Sequence, residues 1–451
     1  MPNPLSPRGL AQLASELQVA GRNIETLSQR AREARLGKSL PQWPCLLPSI
    51  RVAVAPLRNL TGDPEKQRLV EDLTDRLVAD LFRHCRGLSF AWAADERCAV
   101  DNLSPPNPSE LIKYVVYGSV QQGGPGMLRV NMRISDPVTT DYLWAGRNEF
   151  QPEDLAPIPI NVTRQICRAL HLLLIQEAAR CASVGSDPEL DVNDCLNRGN
   201  AILKEVVRAE TSAEAQQWFL AALARDLWNV EALIGLTRTC QYLVSNPWWG
   251  DPRAAAAAAD LGRDAIEIAL EQAPENAFAR CIQGMLCSAA GHLQEAARAF
   301  AQALALDNGL AIAHGFGGYN AALLGRPWET LPAIERAVQL DPSDRRHSIW
   351  YFFGGFAELL LGHTEAAVVL LEKSLERNPS YGATLLFLMA ALSLTGRHSD
   401  AARMAESFRR HYPESPANAF ERFWLSRSPA PAYRAQIYPL FERICAIQVL
   451  S

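Results

Sequence analysis

Small and turn-forming residues recur through the second half of this 451-residue chain at an interval close to 34 residues. The stretch AFARCIQGMLCSAAGHLQEAARAFAQALALDNG carries them at Gly284, Gly291, Ala296, Phe300 and Ala303. Gly318, Gly325, Ile334, Ala337 and Pro342 take equivalent places one period on. After a three-residue slip come Gly355, Gly362, Ala367, Leu371 and Pro379, and then Gly396, Ala401 and Pro413. A unit of this length cannot bury its own apolar face, so successive units must stack. The residue types fit a helical hairpin. A small residue lets its two helices approach, a glycine takes the left-handed turn between them, alanines admit the neighbouring unit, and proline opens the next one.

That spacing is the tetratricopeptide period, and about six units are expected from roughly Val192 to Ser415. The segment DLWNVEALIGLTRTCQYL, followed by AIEIALEQAPENA, is the same hairpin with an insertion, VSNPWWGDPR, between its helices. Trp248 and Trp249 in the insertion are read as a lid over the hairpin, with an exposed contact as the alternative. Phe420, Trp424, Tyr433, Tyr438, Leu440 and Phe441 are expected to cover the last unit. In stacked hairpins the first helices line the inner surface. Register places Phe278, Cys281, Met285 and Ser288 there, then Ile312, Gly315, Tyr319 and Ala322, then Ile349, Phe352, Phe356 and Leu359. From these, Phe278, Met285, Ile312, Tyr319, Phe352 and Phe356 form the candidate partner-binding groove, suited to an extended or helical peptide with apolar anchors. The alternative for the same positions is core shared between repeats.

Upstream, the hydrophobic period changes repeatedly, as in a mixed α/β domain. Ile50–Ala55, Leu88–Trp92, Leu128–Ile134 and Thr140–Phe150 read as strands, and a short helix is expected to run into a further strand along SELIKYVVYGSVQQ. Glu65–His84 and Pro152–Ala179 have helical spacing. The expected fold is thus a small mixed sheet with helices over residues 50–182, an all-α tetratricopeptide-like superhelical solenoid over 183–415, and a helical cap over 416–451. Residues 1–49 hold a heptad-patterned helix, Pro7–Gly37, and a proline-containing linker. That helix either docks on its own chain or forms a short dimeric coiled coil.

The blocks VAVAPLRNLTGDPE, LTDRL, YVVYGSVQQ and LRVNMRISDPVTTDYLWAGRNEF occur in that order over roughly residues 50–175. Together they resemble the bacterial TolB-like amino-terminal domain, which occurs in regulators and adenylate cyclase-related proteins and is often joined to such repeats. One departure is Asp72, where the family has glycine; it implies a plain packing helix. Members of that group carry an output domain, a winged helix or a cyclase, ahead of this part. The 49 residues that precede it here are too few for a cyclase domain and contain no recognisable helix-turn-helix.

Chemistry is sparse. There is no GxxxxGK[ST], HExxH or GxSxG, and NLTGDPEKQ lacks the basic residue and the run of glycines of a phosphate cradle. Asp72 and Asp75 add negative charge where an anion would have to approach. No catalytic, cofactor or metal residues are assigned, and the chain is read as no enzyme. A formal net charge of −5 gives no general attraction to nucleic acid. Ten cysteines without a CxxC read as buried reduced thiols, and no signal peptide or membrane span is apparent, so a cytoplasmic location is expected. The functional expectation is a bacterial regulatory adaptor acting through protein–protein contact. One alternative is the regulatory half of a cyclase-related or transcriptional regulator whose output domain is separate or lost; a weaker one is small-ligand or nucleotide binding by the α/β domain.

Overall fold

The computed structural model describes residues 50–85, 88–93, 112–151, 158–180, 190–204, 209–246, 252–342, 346–412 and 423–450. The heptad helix near the start, Trp248 and Trp249, the short helix expected before Ile112, and Phe420 lie outside these residues.

The described chain opens with β1 (Arg51–Val54) and β2 (Arg58–Leu60), which lie end to end along the long central strand β4 (Ile112–Gln122), both parallel to it. Pro56 separates them. It has no amide hydrogen to donate, and the amide of Leu57 turns instead to the Thr74 hydroxyl, 3.1 Å away on helix α1 (Gln67–His84). Thr74 Oγ1 in turn donates to the Val70 carbonyl at 2.8 Å, so a buried hydroxyl closes the break in the strand. β3 (Ser89–Trp92) pairs parallel with the other side of β1. β5 (Leu128–Ser135) and β6 (Tyr142–Phe150) continue the sheet antiparallel, giving the order β3-β1-β4-β5-β6 with β2 on β4. β2 is absent from the sequence expectation, since three residues with Arg58 and Leu60 exposed carry no legible alternation.

The NLTGDPE turn is consumed by its own hydrogen bonds. Asn59 Nδ2 donates to the Asp63 carbonyl at 3.0 Å, Thr61 Oγ1 donates to Asn59 Oδ1 at 2.7 Å, and Asp63 Oδ1 accepts from the Glu65 amide at 2.9 Å. Gly62, at φ +79°, supplies the left-handed step. Its polar side chains brace the strand-to-helix connection.

Helix α1 and helix α2 (Ile158–Arg180) share one core with the sheet, built on Val52, Val54, Leu77, Val116, Ile134 and Ile166. The far end of α2 belongs to a second core. Ile175, Ala178 and Ala179 pack into the apolar cluster that runs through the helical part of the chain.

Among the described residues twelve helices follow: α3 (Val192–Ile202), α4 (Ala209–Arg225), α5 (Val230–Ser245), α6 (Pro252–Gln272), α7 (Ala277–Ala289), α8 (Leu293–Leu306), α9 (Ala311–Leu323), α10 (Thr330–Leu340), α11 (His347–Leu361), α12 (Thr364–Arg377), α13 (Gly382–Leu394) and α14 (His398–His411). They pair in order as six hairpins. The described residues form a mostly helical, solenoid-like stack of hairpins with a small mixed sheet at its N-terminal end. Gly291, Gly325, Gly362 and Gly396 hold φ of +85°, +84°, +81° and +76° at successive helix-to-helix turns. Elsewhere glycine makes room for rings: between hairpins, a Cβ on Gly235 would lie 2.3 Å from the Phe219 ring, and inside one, a Cβ on Gly284 would lie 2.8 Å from Phe300. A last helix, α15 (Pro431–Leu450), packs against α11, α13 and α14. Among the described residues no helix is long and apolar enough to cross a membrane.

The two kinds of glycine separate in a stability test. Gly362→Ala meets open space and carries only the left-handed backbone strain, an expected loss of about 1 kcal/mol. Gly235→Ala drives a methyl into the Phe219 ring and is expected to cost more, about 1–3 kcal/mol from overpacking. Urea unfolding followed by circular dichroism should rank them in that order.

Candidate partner-binding groove

The inner helices present an unbroken run of rings. Tyr319 stacks on Phe353 with centroids 4.1 Å apart and planes 10° from parallel. Phe352 and Phe356 sit 6.0 Å apart, and both reach Phe387, on α13, within 6.0 and 5.1 Å. Faces of this kind contribute both area and quadrupole contacts, and water is a poor neighbour for them.

Water does not cover them. The chain's own segment 423–450 lies along this face. Trp424 places its ring 5.3 Å from Phe356 and 4.9 Å from Phe387; Tyr433 lies 6.3 Å from Phe356, and Phe441 5.8 Å from Phe387. The Tyr433 hydroxyl donates to the Trp424 carbonyl at 2.8 Å, pinning the turn before α15 to the helix itself. Further along, Arg427 crosses the inner face to α7, where Nη1 donates to the Ala289 carbonyl at 2.7 Å.

What register leaves open is the state of these residues. Met285 (6%), Ile312 (6%), Tyr319 (7%), Phe352 (1%) and Phe356 (0%) are buried, and Phe278 is half-buried beneath the Arg238 guanidinium. As an unoccupied lining the predicted groove is corrected: these residues are interior, in part shared between repeats and in part closed by the C-terminal segment. That segment does more than seal the last hairpin. Trp424, Tyr433, Leu440 and Phe441 are buried as expected of a cover, whereas Tyr438 is 48% exposed. Sequence reasoning missed the placement because a cover and a groove filler have the same composition.

A second junction was also illegible. Helix α2 meets α6 through two pairs, Arg168 with Glu271 and His171 with Asp264. The first is forked, Arg168 Nη1 donating to Glu271 Oε1 and Nη2 to Oε2, and the Glu271 carboxyl is held below the usual range by that contact. His171 and Asp264 are buried together, 93 residues apart in the chain. Glu267, one turn on, is pushed up by burial and by the neighbouring Asp264 charge. Among the described residues no group of three or more His, Cys, Asp or Glu is arranged to hold a metal ion.

No protein-family model matches the chain. A curated relative from Rhizobium meliloti (strain 1021), named "Putative adenylate cyclase 3", is 30% identical over 236 residues, covering 50% of this chain. The match covers only 38% of that relative's length. Among solved structures, TTC0263, a thermophilic TPR protein of Thermus thermophilus, aligns over 47% of this chain and 98% of its own, at 17% identity and a TM-score of 0.35. The APC/C hetero-tetramer Cut9–Hcn1 aligns over 60% of this chain and 49% of its own, at 15% identity and a TM-score of 0.42. YrrB, a TPR protein with an unusual peptide-binding site, aligns over 44% and 93%, at 18% identity and a TM-score of 0.28. Likeness at that level says nothing of what this chain binds.

Cys281 reports on the closed face. It is fully buried on α7, and burial pushes its thiol up to about 12. At pH 8 the thiolate fraction is then about one in 10,000. Iodoacetamide at that pH should leave Cys281 unmodified in the folded chain and label it after denaturation, as read by peptide mass spectrometry.

Proposed function

We propose that the chain is a cytoplasmic bacterial regulatory adaptor, in which a TolB-like α/β domain precedes a tetratricopeptide array that works by holding a peptide on its inner face. One observation carries the reading: the inner face already accommodates a peptide segment, the chain's own residues 423–450, through Trp424, Tyr433 and Phe441. A partner with aromatic anchors at similar spacing would compete for Phe352, Phe356 and Phe387. The bound segment then acts as an internal placeholder, and binding is regulated by its release. Phe278, Met285, Ile312 and Tyr319 extend the same surface toward the first hairpins.

The test uses a labelled peptide of residues 423–441 added to the full chain. Wild type, with its groove filled, should bind weakly, and a Trp424→Ala/Tyr433→Ala variant at least about tenfold more tightly, a difference of about 1.4 kcal/mol. Equal affinities for the two proteins, in anisotropy titrations with both confirmed folded, would end the placeholder reading.

A second reading is favoured by the relative named as a cyclase: this chain would be the regulatory part of an adenylate cyclase-related or transcriptional regulator, with its output domain encoded elsewhere. The heptad pattern before Gly37 would join two subunits or that module. Co-expression with any cyclase or winged-helix protein encoded beside the gene should give a complex by size-exclusion chromatography. Separate elution of every such neighbour counts against this reading.

A further inference from the structure

A cleft of about 520 Å³ opens where three parts of the chain meet. Arg83 and His84 reach it from the end of α1, Arg263 and Asp260 from α6, and His292 from the turn between α7 and α8. Phe423 and Arg427 enter from the C-terminal segment.

Arg427 is the group that needs explaining. It is only 6% exposed. One of its N–H groups goes to the Ala289 carbonyl, and its plane faces the rings of Phe423 and Tyr319, 5.2 and 6.0 Å away. Its Nε has no hydrogen-bond partner, and among the described residues no carboxylate pairs with it. A neutral carbonyl and two ring faces offset only part of what removing a guanidinium from water costs; a buried cation is ordinarily matched by an anion.

Among the described residues that line the cleft, none supplies such an anion to Arg427. Asp260, buried beside Arg263 at 4.0 Å, is the one carboxylate lining the cleft among the described residues, against three guanidinium groups. Asp80 approaches Arg83 at 2.8 Å from outside the cleft, and Glu267 and Glu295 line an adjoining, smaller cavity. The His84 ring also lines the cleft, and His292 Nε2 accepts from Arg263 Nη2 at 3.3 Å, which steadies that guanidinium. Apart from Ser426, the remaining wall is apolar, with Val244, Ala255, Ala256 and Phe423 on it.

We propose that this cleft binds a small phosphate-bearing molecule, its phosphate taken by Arg427 and Arg263 and its less polar body laid against the alanine wall. Phosphate, rather than a single carboxylate, matches the forked donors of two arginines, Arg263 and Arg427, that the one Asp260 carboxylate does not balance. The site does not use the aromatic anchors Trp424, Tyr433 and Phe441, but release of the C-terminal segment would carry Arg427 and Phe423 out of it. A ligand there would touch the α/β domain, the repeats and the C-terminal segment together.

Isothermal titration of the full chain with inorganic phosphate, pyrophosphate and citrate tests it. Pyrophosphate should bind more tightly than citrate, and Arg263→Gln and Arg427→Gln should each weaken it at least about tenfold. Arg427 is buried, so a variant there risks the fold; Arg83→Gln, at a more exposed side chain, is the companion substitution and should weaken pyrophosphate several-fold with an unchanged melting curve. The proposal is overturned by no heat from phosphate or pyrophosphate at millimolar concentration, by citrate binding more tightly, or by affinity unchanged in both Arg263→Gln and Arg83→Gln. The titrations are made without added peptide, so the segment 423–450 stays in place and their outcome is separate from that of the peptide-competition experiment.

Discussion

The inner face of the helical array carries too many rings to stand in water, and the arrangement of the C-terminal third follows from that. Phe352, Phe356 and Phe387 line successive inner helices within about ring-contact distance of one another. Leaving them bare would expose a contiguous apolar patch of the kind that aggregates or recruits a partner. The chain answers with Trp424, Tyr433 and Phe441. The cover is therefore part of the core, and Trp424 is as deeply buried as the residues it covers. Any competitor must replace those contacts in kind.

Helix α2 plays the corresponding part at the other end. Its Ile166 and Leu170 belong to the sheet's core and its Ile175 and Ala178 to the repeat core, so one helix satisfies two apolar clusters in succession. The Arg168–Glu271 and His171–Asp264 pairs fix its register against α6. A first repeat lacks the neighbour on which later repeats rely, and α2 takes that neighbour's place. The α/β domain thus terminates the array on one side as the C-terminal segment does on the other.

What could be read from the sequence was what depends on local backbone geometry. Gly291, Gly325, Gly362 and Gly396 announce left-handed turns because few other residues adopt them, and the strand-turn-helix at residues 51–84 was legible from its proline, its glycine and its period. What escaped depends on distant partners. The contact from Arg427 to Ala289 spans 138 residues, and that from His171 to Asp264 spans 93. β2 is too short for any period, and its pairing is decided by β4, far along the chain. The candidate groove fell between: register puts Tyr319, Phe352 and Phe356 on the first helices of their hairpins, but nothing in their spacing says that a later segment returns to cover them.

That return has a consequence in time as well as in space. Phe441 follows Phe352 by 89 residues. At ~5–20 residues per second of synthesis, the rings of α11 wait roughly 5–20 seconds for their cover. Through that interval the nascent chain displays its stickiest surface, with the sheet domain already complete behind it. The arrival of the C-terminal segment is then the event that covers an adhesive face.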